Sequence, residues 1–160
     1  MTEQNLKAII CDLDSTLFNT SHRQQYSPRQ DPTATWESYA DRCVDDVPFS
    51  GVRALIKILD SAGYVIVLVS SRPESSRDNT IESLEKHNIE YSHLYLSDGA
   101  EGDEEFKRNK ALVLADYYDI ELALEDWPHL TVMYESLGIP SICVNPFYLN
   151  LYTTAKYNNS

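Results

Sequence analysis

Short apolar runs alternate along this chain with stretches whose apolar residues recur every three or four positions, a pattern that predicts strands interleaved with helices. The first run, Ala8–Cys11, is rich in β-branched residues and short enough for a buried strand. Tyr64–Val69 is almost continuously apolar, as a central parallel strand covered on both faces would be. Tyr91–Leu96 is a weaker strand, and Ile120–Leu124 and Ile142–Val144 are two further short ones. Gly51–Ala62 predicts an amphipathic helix, with Val52, Leu55, Ile56 and Leu59 on one face and Gly63 as the stop. Glu74–His87 predicts a second helix with Ile81 and Leu84 inward. Phe106–Tyr118 predicts a third, with Phe106, Leu112 and Val113 inward and Leu114 near the edge. Pro128 suits the start of a fourth helix, which runs to Leu137 and ends at Gly138.

Between the first strand and the first long helix, Asn19–Ser50 is polar and turn-rich, with Pro28, Pro32 and Pro48. Within it, Thr35–Cys43 predicts one short helix with Trp36, Tyr39, Ala40 and Cys43 on one face. The stretch is too small for a second domain. It reads as a small cap insert over about residues 19–50, with Trp36 expected to anchor it to the core. The alternation implies an α/β fold, a doubly wound, mainly parallel sheet of Rossmann type, in a single domain over residues 1–160. The tail Asn145–Ser160 is rich in aromatic residues and is expected to pack on the body or fray.

Composition narrows the partners. A net charge of −12 disfavours an extended surface that tracks nucleic-acid phosphates, while leaving room for a local basic pocket. Three cysteines, Cys11, Cys43 and Cys143, make an odd count without metal-binding spacing, which suggests reduced thiols. Cys11 and Cys143 lie in apolar runs and are expected to act as small hydrophobes. The N-terminal MTEQNLK has no signal-like apolar segment, and no run reaches membrane-spanning length. A soluble, cytoplasmic protein with no membrane contact is the expectation.

Candidate chemistry collects at the strand ends. The first strand leads into Asp12, Asp14, Ser15 and Thr16. Two carboxylates held close raise one another's pKa unless a cation neutralises them, and Mg²⁺, a hard cation, takes oxygen ligands. A plain polar turn is the alternative. A calcium loop fails, because Leu17 stands where its turn needs Gly and Arg23 where its bidentate Glu belongs. The second strand leads into Ser70, Ser71 and Arg72, donors suited to an anionic oxygen, though Ser71 or Ser76 could equally cap a helix. The fourth leads into Glu125 and Asp126. In open α/β sheets ligands bind at the carboxyl ends of the strands, so these residues should converge. Lys107 and Lys110, in the first turns of the third helix, run against the dipole preference for acids there, which hints that one serves the site. His22 and Arg23 follow the carboxylates closely enough to reach the same pocket, whereas Ser97–Glu105 reads as a solvated acidic loop. Such a set suits phosphoryl transfer, with Mg²⁺ neutralising the acids and an Asp attacking phosphorus to give an aspartyl-phosphate.

The motif DLDST within AIICDLDSTLF resembles that of haloacid dehalogenase-like (HAD) phosphohydrolases, and the likeness extends over nearly the whole chain. It implies that Asp12 is the nucleophile and a Mg²⁺ ligand. It makes Asp14 the general acid/base, with its backbone carbonyl on the metal, and Ser70 the hydroxyl that holds the phosphoryl group. Lys107 would be the site lysine, with Lys110 as the fallback. Glu125 and Asp126 would bind metal, where many members have two Asp. His22–Arg23, the Trp36 region, Asp46–Pro48, SSRPESSRDNT and LEKHNI are similar to the 3′-phosphatase domain of polynucleotide kinase and related phage proteins. That narrower likeness implies a small cap and an open site, with His22, Arg23, Ser71, Arg72 and Arg77 contacting substrate or supporting the pocket. The chain departs from that group at Ser97-Asp98, where an Arg is usual, and has no GxxxxGK[ST] loop. The implied function is a Mg²⁺-dependent phosphomonoesterase acting on a nucleotide or a polynucleotide 3′-phosphate end. A nucleotidase, a small-metabolite phosphatase and a non-catalytic binding protein are the alternatives.

Overall fold

A computed structural model describes residues 5–144. In chain order the elements are β1 (Leu6–Cys11), β2 (Phe18–Asn19), α1 (Trp36–Ala40), β3 (Val47–Pro48), α2 (Ser50–Ser61), β4 (Val65–Pro73), α3 (Arg77–Lys86), β5 (His93–Ser97), α4 (Asp103–Ala115), β6 (Tyr118–Glu125), α5 (Pro128–Ser136) and β7 (Ser141–Cys143). Five strands form one parallel sheet in the order β5-β4-β1-β6-β7. The doubly wound α/β expectation therefore holds.

Strand alternation explains both faces of the sheet. Ala8 and Ile10 of β1, with Val67 and Val69 of β4, pack against Phe106, Ala111 and Leu114 of α4 and Leu130 and Met133 of α5. Ile9 and Cys11, with Ile66 and Leu68, face the other way onto Val52 and Ile56 of α2 and Leu84 of α3. Gly63 ends α2 at φ 90°, a left-handed conformation that a side chain would strain.

Several expectations shift. The third predicted helix begins three residues earlier, at Asp103, with the backbone N–H of Phe106 already donating to Gly102. Packing against the sheet sets the phase. Ala111, Leu114 and Lys107 turn inward, while Leu112 and Val113 stand half-exposed. Acids occupy the first turn, so Lys107 lies beyond it and the dipole mismatch disappears. The predicted Thr35–Cys43 helix is α1 followed by a 3₁₀ turn over Asp41–Asp45. Thr35 caps α1, which puts Trp36 at its open end, 46% exposed and edge-on to Tyr39. The anchor to the core is formed by Tyr39, Ala40 and Cys43 instead. Cys143 is exposed, because β7 is an edge strand; Cys11 and Cys43 are buried. The aromatic tail Asn145–Ser160 lies outside the described residues. No helix among the described residues is long and apolar enough to cross a membrane.

Candidate active site

The chain leaves β1 for β4 and β5 on one side of the sheet and returns to β6 and β7 on the other. The carboxyl ends of β1, β4 and β6 are thereby adjacent. Cys11 pairs with both Leu68 and Leu124, so Asp12, Ser70 and Glu125 emerge together. The Asp12 N–H donates to the Leu124 carbonyl at 3.1 Å, extending β1 along β6.

Beyond Asp12 the chain closes a tight turn in which the N–H groups of Thr16, Leu17 and Phe18 all point to the Leu13 carbonyl. Ser15 enters the left-handed region at φ 64° to make this possible. The turn brings Thr16 Oγ1 within 2.9 Å of Asp12 Oδ2, to which it donates, while Lys107 Nζ donates to Oδ1 at 3.1 Å. Lys107 also reaches Glu125 Oε1 at 2.8 Å and Asp103 at 3.7 Å. Carboxylate oxygens of Asp12, Glu125 and Asp126 lie within 4.8 Å of one another. Glu125 Oε2 is buried with no hydrogen-bond partner among the described residues.

Electrostatics follow from this crowding. Burial and the Asp12 carboxylate raise Asp126 to about 7. Burial raises Asp12 as well, against the pull of Lys107. Glu125 is pushed well above the carboxylate range by burial and by Asp12. Burial opposes the Lys107 charge, yet Asp12 and Glu125 outweigh it and hold the ammonium well above its ordinary value. One ammonium facing three acids leaves surplus negative charge, and the unpartnered Glu125 oxygen adds a free donor atom. This donor set fits a hard divalent cation.

Asp14 has different surroundings. Its Oδ1 accepts from Arg23 Nη2 at 2.8 Å, from Arg72 Nε at 2.8 Å and from Arg72 Nη2 at 2.6 Å. Burial works against its ionisation, but the two guanidiniums prevail and lower its pKa. Its carboxylate lies outside the three-acid cluster. Behind the guanidiniums, fully buried Asp46 binds Arg23 at 2.7 and 2.8 Å, Arg72 at 2.9 Å and His22 at 2.8 Å. Arg23 also stacks 4.3 Å from the Tyr39 ring centre.

An open cavity of about 700 Å³ lies over these groups, and Asp12, Asp14, Ser70, Ser71, Arg72 and Lys107 line it. Arg29 sits at its rim, 5.6 Å from the Trp36 ring centre and 5.7 Å from that of Trp127. Ser71 donates to Asp103 rather than capping a helix. Arg77 pairs with Glu74 and does not line the cavity. His22 and Arg23 do not line it either; Arg23 reaches it through Asp14, and His22 bonds Asp46, which is itself outside the lining. Lys110 lies over Tyr95 and Phe106, whereas Lys107 meets the Asp12 carboxylate. The acidic loop supplies Asp98, Glu101 and Asp103 to the lining, a closer approach than a solvated loop implies.

The hydrogen-bonding part of Thr16, the bracing by Asp46 and the rim placement of Arg29 and Trp127 escape a reading of the sequence alone. Thr16 sits inside the DLDST motif, which is a usable signal. Asp46 belongs to the Asp46–Pro48 stretch of the narrower likeness, which says nothing of its contacts, and its partners lie more than 20 residues away.

Residues 1–126 match the HAD superfamily, subfamily IIIB (acid phosphatase). No curated protein matches in sequence. Among solved structures, a chain of the Pnkp1/Rnl/Hen1 complex is 26% identical with a TM-score of 0.69, over 91% of this chain and 47% of that one. A chain of the Pnkp1/Rnl/Hen1 RNA repair complex is likewise 26% identical with a TM-score of 0.70, over 91% of this chain and 44% of that one. The chain spans about half the length of these two. The class C acid phosphatase from Bacillus anthracis with tungstate bound shares the fold at 20% identity, with a TM-score of 0.69 over 90% of this chain and 68% of that one.

Proposed function

This chain belongs to the HAD superfamily, subfamily IIIB, and we propose that it is a phosphoric monoester hydrolase that uses Mg²⁺ and an aspartyl-phosphate on Asp12 to act on a nucleotide or a nucleic-acid 3′-phosphate end. The observation that carries the proposal is the cluster of buried Asp12 and Glu125 with half-buried Asp126 around Lys107, with Glu125 Oε2 unpartnered among the described residues. These three residues would hold the ion. When bound, it neutralises their surplus charge and that of the phosphoryl oxygens.

The chain's own residues account for the rest. Asp12 attacks phosphorus while the ester P–O bond breaks, and Asp14 gives its proton to the departing oxygen. In the second half, Asp14 takes a proton from water, the water oxygen attacks phosphorus, and the Asp12–phosphorus bond breaks to release phosphate. Both carboxyl groups are thereby restored. The guanidiniums hold empty-site Asp14 ionised. A phosphoryl dianion arriving beside it favours the protonated form by like-charge repulsion. Lys107 and the Ser70 hydroxyl, both in the cavity lining, would hold phosphoryl oxygens in this reading.

A nucleic-acid end is supported by the 26% likeness to a chain of an RNA repair complex and by the exposed indoles and Arg29 at the rim. The net charge of −12 and the acids lining the cavity argue for contact at the terminus only. The test is phosphate release with Mg²⁺ or EDTA from 3′- and 5′-nucleotides, 3′- and 5′-phosphorylated oligonucleotides and an aryl phosphate. Metal-dependent release with preference for a 3′-phosphorylated oligonucleotide is expected. Equal rates on all of them remove the nucleic-acid end, and release undiminished by EDTA removes the metal.

A further inference from the structure

Asp46 does not line the cavity, yet it organises the residues that do. Its Oδ1 meets His22 Nε2 and Arg23 Nε, both at 2.8 Å. Its Oδ2 accepts from Arg23 Nη2 at 2.7 Å and from Arg72 Nη2 at 2.9 Å, and its backbone carbonyl meets His87 Nε2 at 3.0 Å. The side chain is fully buried. Each guanidinium bridges Asp46 to Asp14, so two cations are held between two anions.

The partners come from separate parts of the chain. His22 and Arg23 open the insert, Asp46 closes it beside β3, and Arg72 belongs to β4. Guanidinium contacts to Asp14 all fall on Oδ1, leaving Oδ2 free of them. Two like charges this close stay together only while anions flank them on both sides. Without Asp46, Asp14 would be the one carboxylate shared by Arg23 and Arg72, and the Tyr39 carbonyl and the Thr80 hydroxyl would be their only other side-chain hydrogen-bond acceptors among the described residues. Their long side chains would then regain rotamer freedom that the quartet removes.

We propose that Asp46 is a positioning residue for proton transfer, orienting Asp14 through Arg23 and Arg72. The proposal rests on the reading of Asp14 as the proton donor to the leaving oxygen. A poor leaving group needs that proton, whereas a very good one departs as its anion. Loss of Asp46 should therefore cost more as the leaving group worsens, a dependence that a general loss of folded protein does not produce.

The experiment measures kcat with Mg²⁺ for Asp46→Asn across phosphate esters from 2,4-dinitrophenyl through phenyl to alkyl, on protein shown to be folded by its melting curve. The expected result is a loss of about a hundredfold on the alkyl ester and only a few-fold on the dinitrophenyl ester, within the span of general acid catalysis. His22→Ala removes one contact to Asp46 from a side chain that is 40% exposed. It should show the same trend at about a tenth of the size, and it decides the matter if Asp46→Asn does not fold. Equal losses along the series overturn the positioning role while leaving the phosphatase reading intact. Absence of turnover by wild type on every ester removes both.

Discussion

Lys107 Nζ donates to Glu125 Oε1 at 2.8 Å, and both side chains are buried at the carboxyl end of the sheet. The same ammonium serves Asp12, so one cation offsets charge on two strands. Replacing it leaves buried carboxylates facing one another. Lys107→Met should lower stability in EDTA by about 3–5 kcal/mol, the usual cost of breaking a buried pair. Urea unfolding measures this, and Mg²⁺ should recover part of the loss. Unchanged stability in EDTA would show that the ammonium is not what balances the cluster.

Asp12 separates chemistry from folding. Asp12→Asn keeps the side-chain volume and removes one of the crowded negative charges. It should reduce turnover of an aryl phosphate by at least about 10⁴-fold, as loss of a covalent nucleophile does. Its melting temperature without metal should equal or exceed that of wild type, because like-charge repulsion falls. Equal turnover by variant and wild type would remove the nucleophile assignment.

Asp126 predicts a pH signature. Burial and Asp12 raise it to about 7, whereas in the unfolded chain a carboxyl titrates near 4. Between those values the folded protein binds the additional proton. Without a divalent ion, its contribution to stability is present below about pH 4 and is lost as pH rises through about 7. The melting temperature of wild type relative to Asp126→Asn should therefore fall across that window. Mg²⁺ at pH 7 should restore it in wild type more than in the variant. A difference that stays flat with pH would contradict the raised pKa.

The phase of α4 can be read from two leucines. Leu114 is 3% exposed against the sheet, and Leu112 is 50% exposed. Leu114→Ala should cost about 2–5 kcal/mol and Leu112→Ala no more than about 0.5 kcal/mol. Chemical denaturation of the two variants distinguishes this phase from the one that periodicity alone predicts, in which Leu112 is the inward residue.

The strands and the acids at their ends were legible in the sequence because both are local. A buried parallel strand must be apolar, and the polar residues that follow must lie at its carboxyl end, so Asp12, Ser70, Glu125 and Asp126 could be placed together once the alternation was seen. Helix phase was less legible. In α4 the buried stripe runs through Lys107, Ala111 and Leu114 at i, i+4 and i+7, and a lysine within that stripe hides it from a count of apolar positions. Trp36 misled for the opposite reason: its apolar bulk suggested burial, while the Thr35 cap fixed it at an open end.

By itself, the sequence determined the fold class and the end of the sheet at which the carboxylates gather, since these follow from periodicity and from the ends of elements. Tertiary structure decided that Lys107 rather than Lys110 meets Asp12, that Asp14 faces two guanidiniums rather than the acid cluster, and that Asp46 braces those guanidiniums from behind. Each of those pairings joins residues 9 to 95 positions apart. Side chains at such separations meet only through strand register and helix phase, which no local pattern encodes.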